Sequence, residues 1–355
     1  MRRSLVFFLI TALVAGGSFV YAGAQGESDG NVTRIEGAPA PFDGSSGREL
    51  HIAHISYLVE GEFMQMYRAG LEAQARELGM RVTVLGRHAD AQAQANFVNQ
   101  AINLGVDGIV IQHGLTETMR GPAQDALDAG IPVVAFDVDL ENANIPQVAQ
   151  NDPQHGLNAI TTIVEDFDGE VDMAYVRVAG ILPLDKRDGP IQDIVAAYPG
   201  VNIVAQTGTL DSPIAVRNAD QAQAVLRANP EIRAYLAPYD EFAKGIVLAL
   251  EELEMTDSVR VYSIDISTQD IEIMTQPGSP WVMTSAVNPA EMGAVSVRTL
   301  AQVMAGENVP RDILVEPEIF TADMLREAGV TNMEELMASF EAFNESPAAR
   351  SIWMP

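Results

Sequence analysis

A chain of 355 residues is long enough for two domains with separate cores. It contains no cysteine, which excludes disulfides, thiol catalysis, thiolate metal sites and lipid attachment through an N-terminal cysteine. Its net charge of −28 disfavours nucleic acid and anionic membranes, both of which repel an acidic surface. The basic residues include only two lysines, Lys186 and Lys244. Acid excess with scarce lysine fits a secreted protein kept soluble in salt; a genome that prefers arginine codons explains the lysine count equally well.

At the N-terminus, Arg2 and Arg3 precede the apolar stretch 5–14, and Ala22-Gly23-Ala24 follows. These are the parts of an export signal, with 1–24 removed after Ala24. As a membrane anchor the apolar part is marginal in length and ends without a charged stop. Residues 25–48, rich in Gly, Ser, Pro and Asp, are expected to be a flexible leader. The protein is therefore expected in the periplasm or outside the cell.

From residue 50 onward, short apolar runs alternate with amphipathic stretches of about 15 residues, the pattern of βαβ units. LHIAHISY (50–57) reads as a strand, and 62–79 carries Phe63, Met66, Tyr67, Gly70, Leu71, Gln74 and Leu78 at helical spacing, closed by Gly79. Strands at 81–85 and 106–112 and helices at 91–104 and 116–129 follow, and then IPVVAFD (131–137). The run Val133-Val134-Ala135-Phe136 is typical of a strand buried on both faces, and it stops at Asp137. In an open parallel sheet the carboxyl ends of the strands face the ligand crevice, where an Asp accepts hydrogen bonds from hydroxyls. The rhythm breaks at 141–153, read as the first crossing between two lobes.

A second series follows, with helices at 154–167, 188–198, 213–229, 240–254 and 267–276 and strands at 171–178, 201–207, 232–238, 259–265 and 281–287. The strand VRVYSID again ends in an acid, Asp265. Either acid alone reads equally well as opening a turn or capping the next helix. A helix at 289–306, one extended piece at 311–320, a helical region at 321–345 and a tail complete the chain.

The order of these motifs resembles the periplasmic sugar-binding proteins of ABC transporters, the group of ribose- and galactose-binding proteins (the type I periplasmic binding proteins). The strings that carry the likeness are IAHISYLVEGEFMQMYRAGLEAQARELGMRVTVL, VDGIVIQ with AGIPVVAFD, NPEIRAYLAPYDEFAKGIVLALEEL, and VRVYSIDIS with VNPAEMG, between residues 50 and 321. The resemblance implies an α/β fold of two Rossmann-like lobes with parallel sheets, hinged by three crossover segments near 150–154, 285–289 and 315–317. The first lobe would hold 49–151 plus 288–315, and the second 152–287 plus 316–355. It also implies that Asp137 and Asp265, one per lobe, bind sugar hydroxyls and that Phe63 covers a sugar face.

Other positions depart from the ribose pattern. Val138 stands for an arginine, Tyr239 and Gly61 for asparagines, and Val287 for a glutamine, beside which Asn288 is an available amide. Asp185 aligns where an arginine is expected, with Arg187 two residues on. A buried hydroxyl left without a partner costs about 1–3 kcal/mol, so these losses imply a ligand arranged differently from ribose.

Residues placed at strand ends add Tyr57, Glu60, Gln112 and His113 to the candidates, while Asp240 reads as a helix N-cap. Histidines 51, 54, 88, 113 and 155 form no HExxH pair, and neither a GxSxG elbow nor a P-loop is present. No metal, cofactor or catalytic group is expected. The reading is an exported, monomeric solute-binding protein that closes on a sugar or polyol and hands it to a membrane permease. A sugar-sensing protein that feeds a receptor, or a secreted glycoside hydrolase using both acids, are the alternatives. Sugar-responsive repressors share the fold but need a DNA-binding helix pair where this chain has its export signal.

Overall fold

The computed structural model describes residues 32–355, so the export signal expected over 1–24 lies outside the described residues. The first series is β1 (Leu50–Ser56), α1 (Glu62–Glu77), β2 (Met80–Gly86), α2 (Ala91–Leu104), β3 (Gly108–Gln112), α3 (Thr116–Asp128), β4 (Val133–Phe136) and β5 (Gln147–Gln150). The second is α4 (Asp152–Asp166), β6 (Val171–Val176), α5 (Leu182–Ala197), β7 (Val201–Thr207), α6 (Ile214–Ala228), β8 (Ala234–Ala237), α7 (Asp240–Glu252), β9 (Arg260–Ile264), α8 (Thr268–Thr275) and β10 (Trp281–Ala286). The chain closes with α9 (Pro289–Met304), β11 (Asp312–Val315), β12 (Glu318–Thr321), α10 (Ala322–Ala328), α11 (Met333–Ser339) and α12 (Glu341–Asn344).

These strands form two sheets, ordered β11-β5-β4-β3-β1-β2 and β12-β10-β9-β8-β6-β7. Pairing is parallel except where β12 runs antiparallel to β10. The period-2 alternation of a strand explains the layering. In β3, Ile109 and Ile111 join Val98 of α2 and Met119 of α3 in one core, whereas Val110 faces the other way into the core with Tyr67 of α1 and Val295 of α9. In the second sheet, Leu236 and Tyr262 pack with Ile160 of α4, while Tyr235 and Val261 pack toward Ile246 of α7. Each fully buried aliphatic side chain contributes roughly 1.5–3 kcal/mol of transfer free energy.

The chain passes between the sheets at Asn151, at Val287–Asn288 and at Glu316–Pro317. Asn151 caps α4 by accepting from the Gln154 N–H, and its amide donates to both Glu316 carboxylate oxygens at 3.0 and 2.9 Å, tying the first passage to the third.

Several expectations need correction. The stretch 141–153 contains β5, a strand of the first sheet, because QVAQ lies between β4 and β11. The piece 311–320 is two strands in two sheets, separated at Pro317, which has no N–H to continue a ladder. Helix α5 starts at Leu182 rather than 188, with Pro183 in its first turn, where a missing N–H costs nothing.

The leader from residue 32 is part of the fold, not a flexible strand of chain. The Leu50 N–H donates to Thr33 Oγ1 at 2.9 Å, and Phe42 is fully buried against Trp353, ring centroids 5.0 Å apart. The C-terminal tail belongs with this first lobe rather than the second. Arg298 of α9 donates to the carbonyls of Ser346 and Ala348, and Glu307 accepts from Ser351 and Trp353.

Candidate ligand-binding site

Three strand ends in the two sheets finish on a non-glycine residue with positive φ: His113 (55°), Asp137 (52°) and Asp265 (77°). Each keeps its own N–H on the neighbouring strand, His113 to the Phe136 carbonyl (2.8 Å), Asp137 to Val148 (3.1 Å) and Asp265 to Ser285 (2.9 Å). The ladder therefore holds these residues up to the point where the chain turns away. Left-handed backbone at such residues is strained and clusters at functional sites.

Around these ends lies a cavity with about 360 Å³ of atom-free space, part of it continuous with solvent. From the first lobe it is lined by Leu58, Phe63, Met64, His113 and Gln150, and from the second by Ile181, Pro183, Leu184, Arg187, Leu210, Tyr239 and Asp265. The cleft is shut. The Gln269 N–H donates to Glu62 Oε2 at 3.0 Å, and His88 Nε2 lies 3.3 Å from the Leu210 carbonyl across it.

Arg187 is the centre of the polar corner. Gly156 of α4 lets α5 approach, since a Cβ there would fall 2.2 Å from the Arg187 carbonyl oxygen. The guanidinium donates from Nε to Asp152 Oδ1 (2.9 Å) and from Nη1 to the Pro238 carbonyl (2.6 Å) and Asp265 Oδ2 (3.2 Å). Burial works against the Arg187 charge, and Asp265 and Asp152 more than restore it, so its pKa lies above the ordinary value. Burial likewise raises the pKa of Asp152 and Asp265, with Arg187 pulling each back.

Asp137 stands one layer behind this wall. Its side chain is sealed from solvent, with Oδ2 accepting from Gln150 Nε2 at 3.3 Å and lying 3.9 Å from His113 Nε2. The expectation that two acids face the cleft together is thus corrected: Asp265 lines the cavity, and Asp137 supports Gln150 and His113, which do. Burial, and then the charge of Asp152, push the Asp137 carboxyl well above the usual carboxylate range. Burial and Arg187 lower His113 to about 3, so the imidazole is neutral and its approach to Asp137 is not an ion pair. The Gln112 amide, 2.8 Å from His113 Nδ1, donates there, which leaves the proton on Nε2. Buried acceptors without a partner among the described residues include Gln112 Oε1, Asp137 Oδ1, Gln150 Oε1 and Asp152 Oδ2. Of these, Gln150 belongs to the cavity wall, so its Oε1 is the acceptor open to an O–H donor of a ligand, while the others lie behind the wall.

The remaining candidates divide. Phe63 and Tyr239 are on the wall. Gln112 is behind it, donating to Met64 Sδ at 2.9 Å, and Tyr57 packs in the core below. Glu60 meets the second lobe through its carbonyl, 3.5 Å from the Tyr239 hydroxyl. Two are elsewhere. Asp185 is exposed and accepts from the Gly180 N–H, since it lies two residues before Arg187 and the helix turns it outward. Asn288 caps α9, accepting from the Ala290 and Glu291 N–H groups, and lines a separate cavity behind the hinge. Asp240 is not an N-cap either; it is the first residue of α7, buried beside Lys244.

Sequence reasoning missed Gln150, Leu58, Met64, Leu210 and the group Ile181, Pro183 and Leu184. Gln150 carries the same strand-end signal as Asp137, but the polar stretch around its short strand reads as a connection. Ile181 is the N-cap of α5, and Pro183 and Leu184 lie in its first turn, which begins six residues ahead of the start that the sequence pattern suggests.

The profile of the family described as "Periplasmic binding protein domain" matches residues 52–308. The chain belongs to this family. This periplasmic binding protein is 35% identical to the 5-methylthioribose transporter solute-binding protein of Thermotoga lettingae, solved with 5-methylthioribose, with a TM-score of 0.84 over 86% of this chain and 97% of that one. A sugar ABC transporter protein of Yersinia enterocolitica is 27% identical, with a TM-score of 0.83 over 86% and 93% of the two chains. The ribose import binding protein of Escherichia coli is 24% identical over 73% of this chain and 86% of its own length. Within the family this chain is a solute-binding protein of a sugar ABC transporter.

Proposed function

We propose that the cavity binds a pentose or small polyol carrying an apolar substituent, the class to which 5-methylthioribose belongs, and that the protein delivers it to an ABC permease. The observation that carries this reading is the division of the wall. Asp265, Arg187, His113 and Gln150 form one polar corner, and Leu58, Met64, Ile181, Pro183, Leu184 and Leu210 supply carbon around the rest. Hydroxyls fit the corner, where Gln150 Oε1 is an open acceptor beside the Asp265 carboxylate, and Phe63 and Tyr239 offer ring faces to C–H groups. The likeness to the Thermotoga protein supports the same class.

Binding works through closure. The corner is built by residues of both lobes, so a ligand gains its full set of contacts only in the closed form and draws the equilibrium there. On this reading the moving bodies are 49–151 plus 288–315 and 152–287 plus 316–344, with the tail riding on the first. The wall carries one carboxylate, already paired with Arg187, whereas glycoside hydrolysis uses two. We therefore read the chain as a binder and not an enzyme, working as an exported monomer in the periplasm.

Calorimetry and thermal shift against 5-methylthioribose, ribose, allose, apiose and allitol test this. A ligand at a hundredfold excess over its Kd adds about 2.7 kcal/mol of stability. The expected order places 5-methylthioribose first, with ribose at least an order of magnitude weaker; equal binding of the two sugars removes the apolar-wall argument.

A further inference from the structure

Tyr239 and Gly61 meet across the mouth of the cleft. Resting on the ligand reading above, we propose that this pair is the closure contact that selects the ligand: the Tyr239 ring seals one end of the cavity, and only a glycine at 61 lets it arrive.

The geometry is specific. Tyr239 is extended just before α7, and Phe242 holds its ring edge-on, with centroids 5.2 Å apart and planes at 84°. The ring lines the cavity and is 6% exposed. Its hydroxyl crosses to the first lobe, 3.5 Å from the Glu60 carbonyl. Gly61, the next residue, has φ +89°, and a Cβ built there would stand 2.8 Å from the Tyr239 hydroxyl and 3.3 Å from Glu241 Cγ. Carbon does not pack at 2.8 Å from oxygen, so a side chain at 61 must push the phenol out of its place or hold the lobes apart, and the positive φ adds backbone strain of its own.

The chemistry follows from the face the ring presents to the cavity. On a wall that also carries Phe63, Leu184 and one side-chain amide, Gln150 of the first lobe, Tyr239 offers an aromatic face. A ligand hydroxyl pressed against it loses water and finds carbon, whereas an alkyl or thioether group loses nothing. The Tyr239 phenol remains uncharged, because burial and the neighbouring Asp240 and Glu241 charges push its pKa well above the ordinary value. The ring thus excludes a hydroxyl without adding a charge of its own.

The closure half is tested without ligand. Because the chain has no cysteine, His88→Cys with Asp211→Cys, placed where His88 approaches the Leu210 carbonyl, reports closure by bis-maleimide trapping. Gly61→Ala should slow trapping about tenfold or more. Tyr239→Phe should stay within threefold of the parent, and Gly61→Ala with Tyr239→Phe should recover a clear part of the loss, since the clashing oxygen is gone. Unchanged trapping in Gly61→Ala, or the same loss in the Tyr and Phe backgrounds, overturns the contact.

The selection half uses calorimetry with 5-methylthioribose and ribose on folded Tyr239→Asn and Tyr239→Leu proteins. The preference for 5-methylthioribose should fall at least tenfold with Asn and stay within threefold with Leu. An unaltered preference in Tyr239→Asn refutes selection by the ring. A parent protein that binds neither sugar refutes the ligand reading and selection together, while trapping still decides the closure contact.

Discussion

Two cations are buried among carboxylates in the second lobe, and they do different things. Arg187 sits 2.9 Å from Asp152 and 3.2 Å from Asp265. Lys244 sits 2.7 Å from Glu241, 3.3 Å from Asp270 and 3.5 Å from Asp240. In both clusters burial raises the carboxyl pKa values, and the cation pulls Asp152, Asp265 and Asp240 back most strongly. In both, the acids prevail over burial and raise the pKa of the cation. Only the Arg187 cluster opens on the cavity. Its planar fork also ties a backbone carbonyl, Pro238, to two acids from different elements, fixing Asp265 in direction as well as charge. Charge composition makes a cluster, and access with fixed direction makes a site.

The comparison breaks most sharply under Arg187→Met. Removing a buried cation leaves Asp152 and Asp265 facing each other, so stability should drop by about 3–5 kcal/mol. Sugar affinity should fall on the order of a hundredfold, the roughly 3 kcal/mol of a charged hydrogen-bond network. Chemical denaturation and calorimetry read the two separately. Lys244→Met should lose comparable stability, about 3 kcal/mol, yet keep sugar affinity within threefold; a large affinity loss there would join the two clusters into one site. On the apolar side, Leu184→Asn should weaken 5-methylthioribose by roughly tenfold, about 1.4 kcal/mol for buried apolar contact, while ribose changes little in the same titration.

The smallest effect concerns Asp137. Its folded pKa is raised, so its contribution to stability is full below the unfolded value of about 3.9 and is lost as pH rises through the folded value. Asp137→Asn lacks that loss. Its melting temperature relative to wild type should therefore climb from pH 5 to pH 8, and a difference that is flat or falls with pH would place the ionised form in the folded protein without penalty.

How far the site could be read in advance depended on whether the signal was local. Asp265 was legible from a strand-end rule, whereas the family pattern pointed to Asp185 and only offered Arg187 beside it. Asp137 obeyed the same rule as Asp265 and was still misplaced, because its depth depends on Gln150, thirteen residues on and one strand across. Asp185 and Arg187 were indistinguishable until the start of α5 set which way each faces. Asn288 carried an amide where one was wanted, but the free N–H groups at the start of α9 claimed it first.

What the sequence by itself determined is the alternation: apolar runs too short for helices, amphipathic stretches between them, and acids at two strand ends. Those are properties of neighbours along the chain, and they specify two parallel sheets with helices on both faces. The tertiary structure alone decided that Trp353 closes over Phe42, that Tyr239 reaches Gly61, and that one acid lines the cavity while the other stands behind it. Those contacts join residues far apart in the chain, and they are set by where three passages between the sheets bring the lobes together, a geometry that no local pattern encodes.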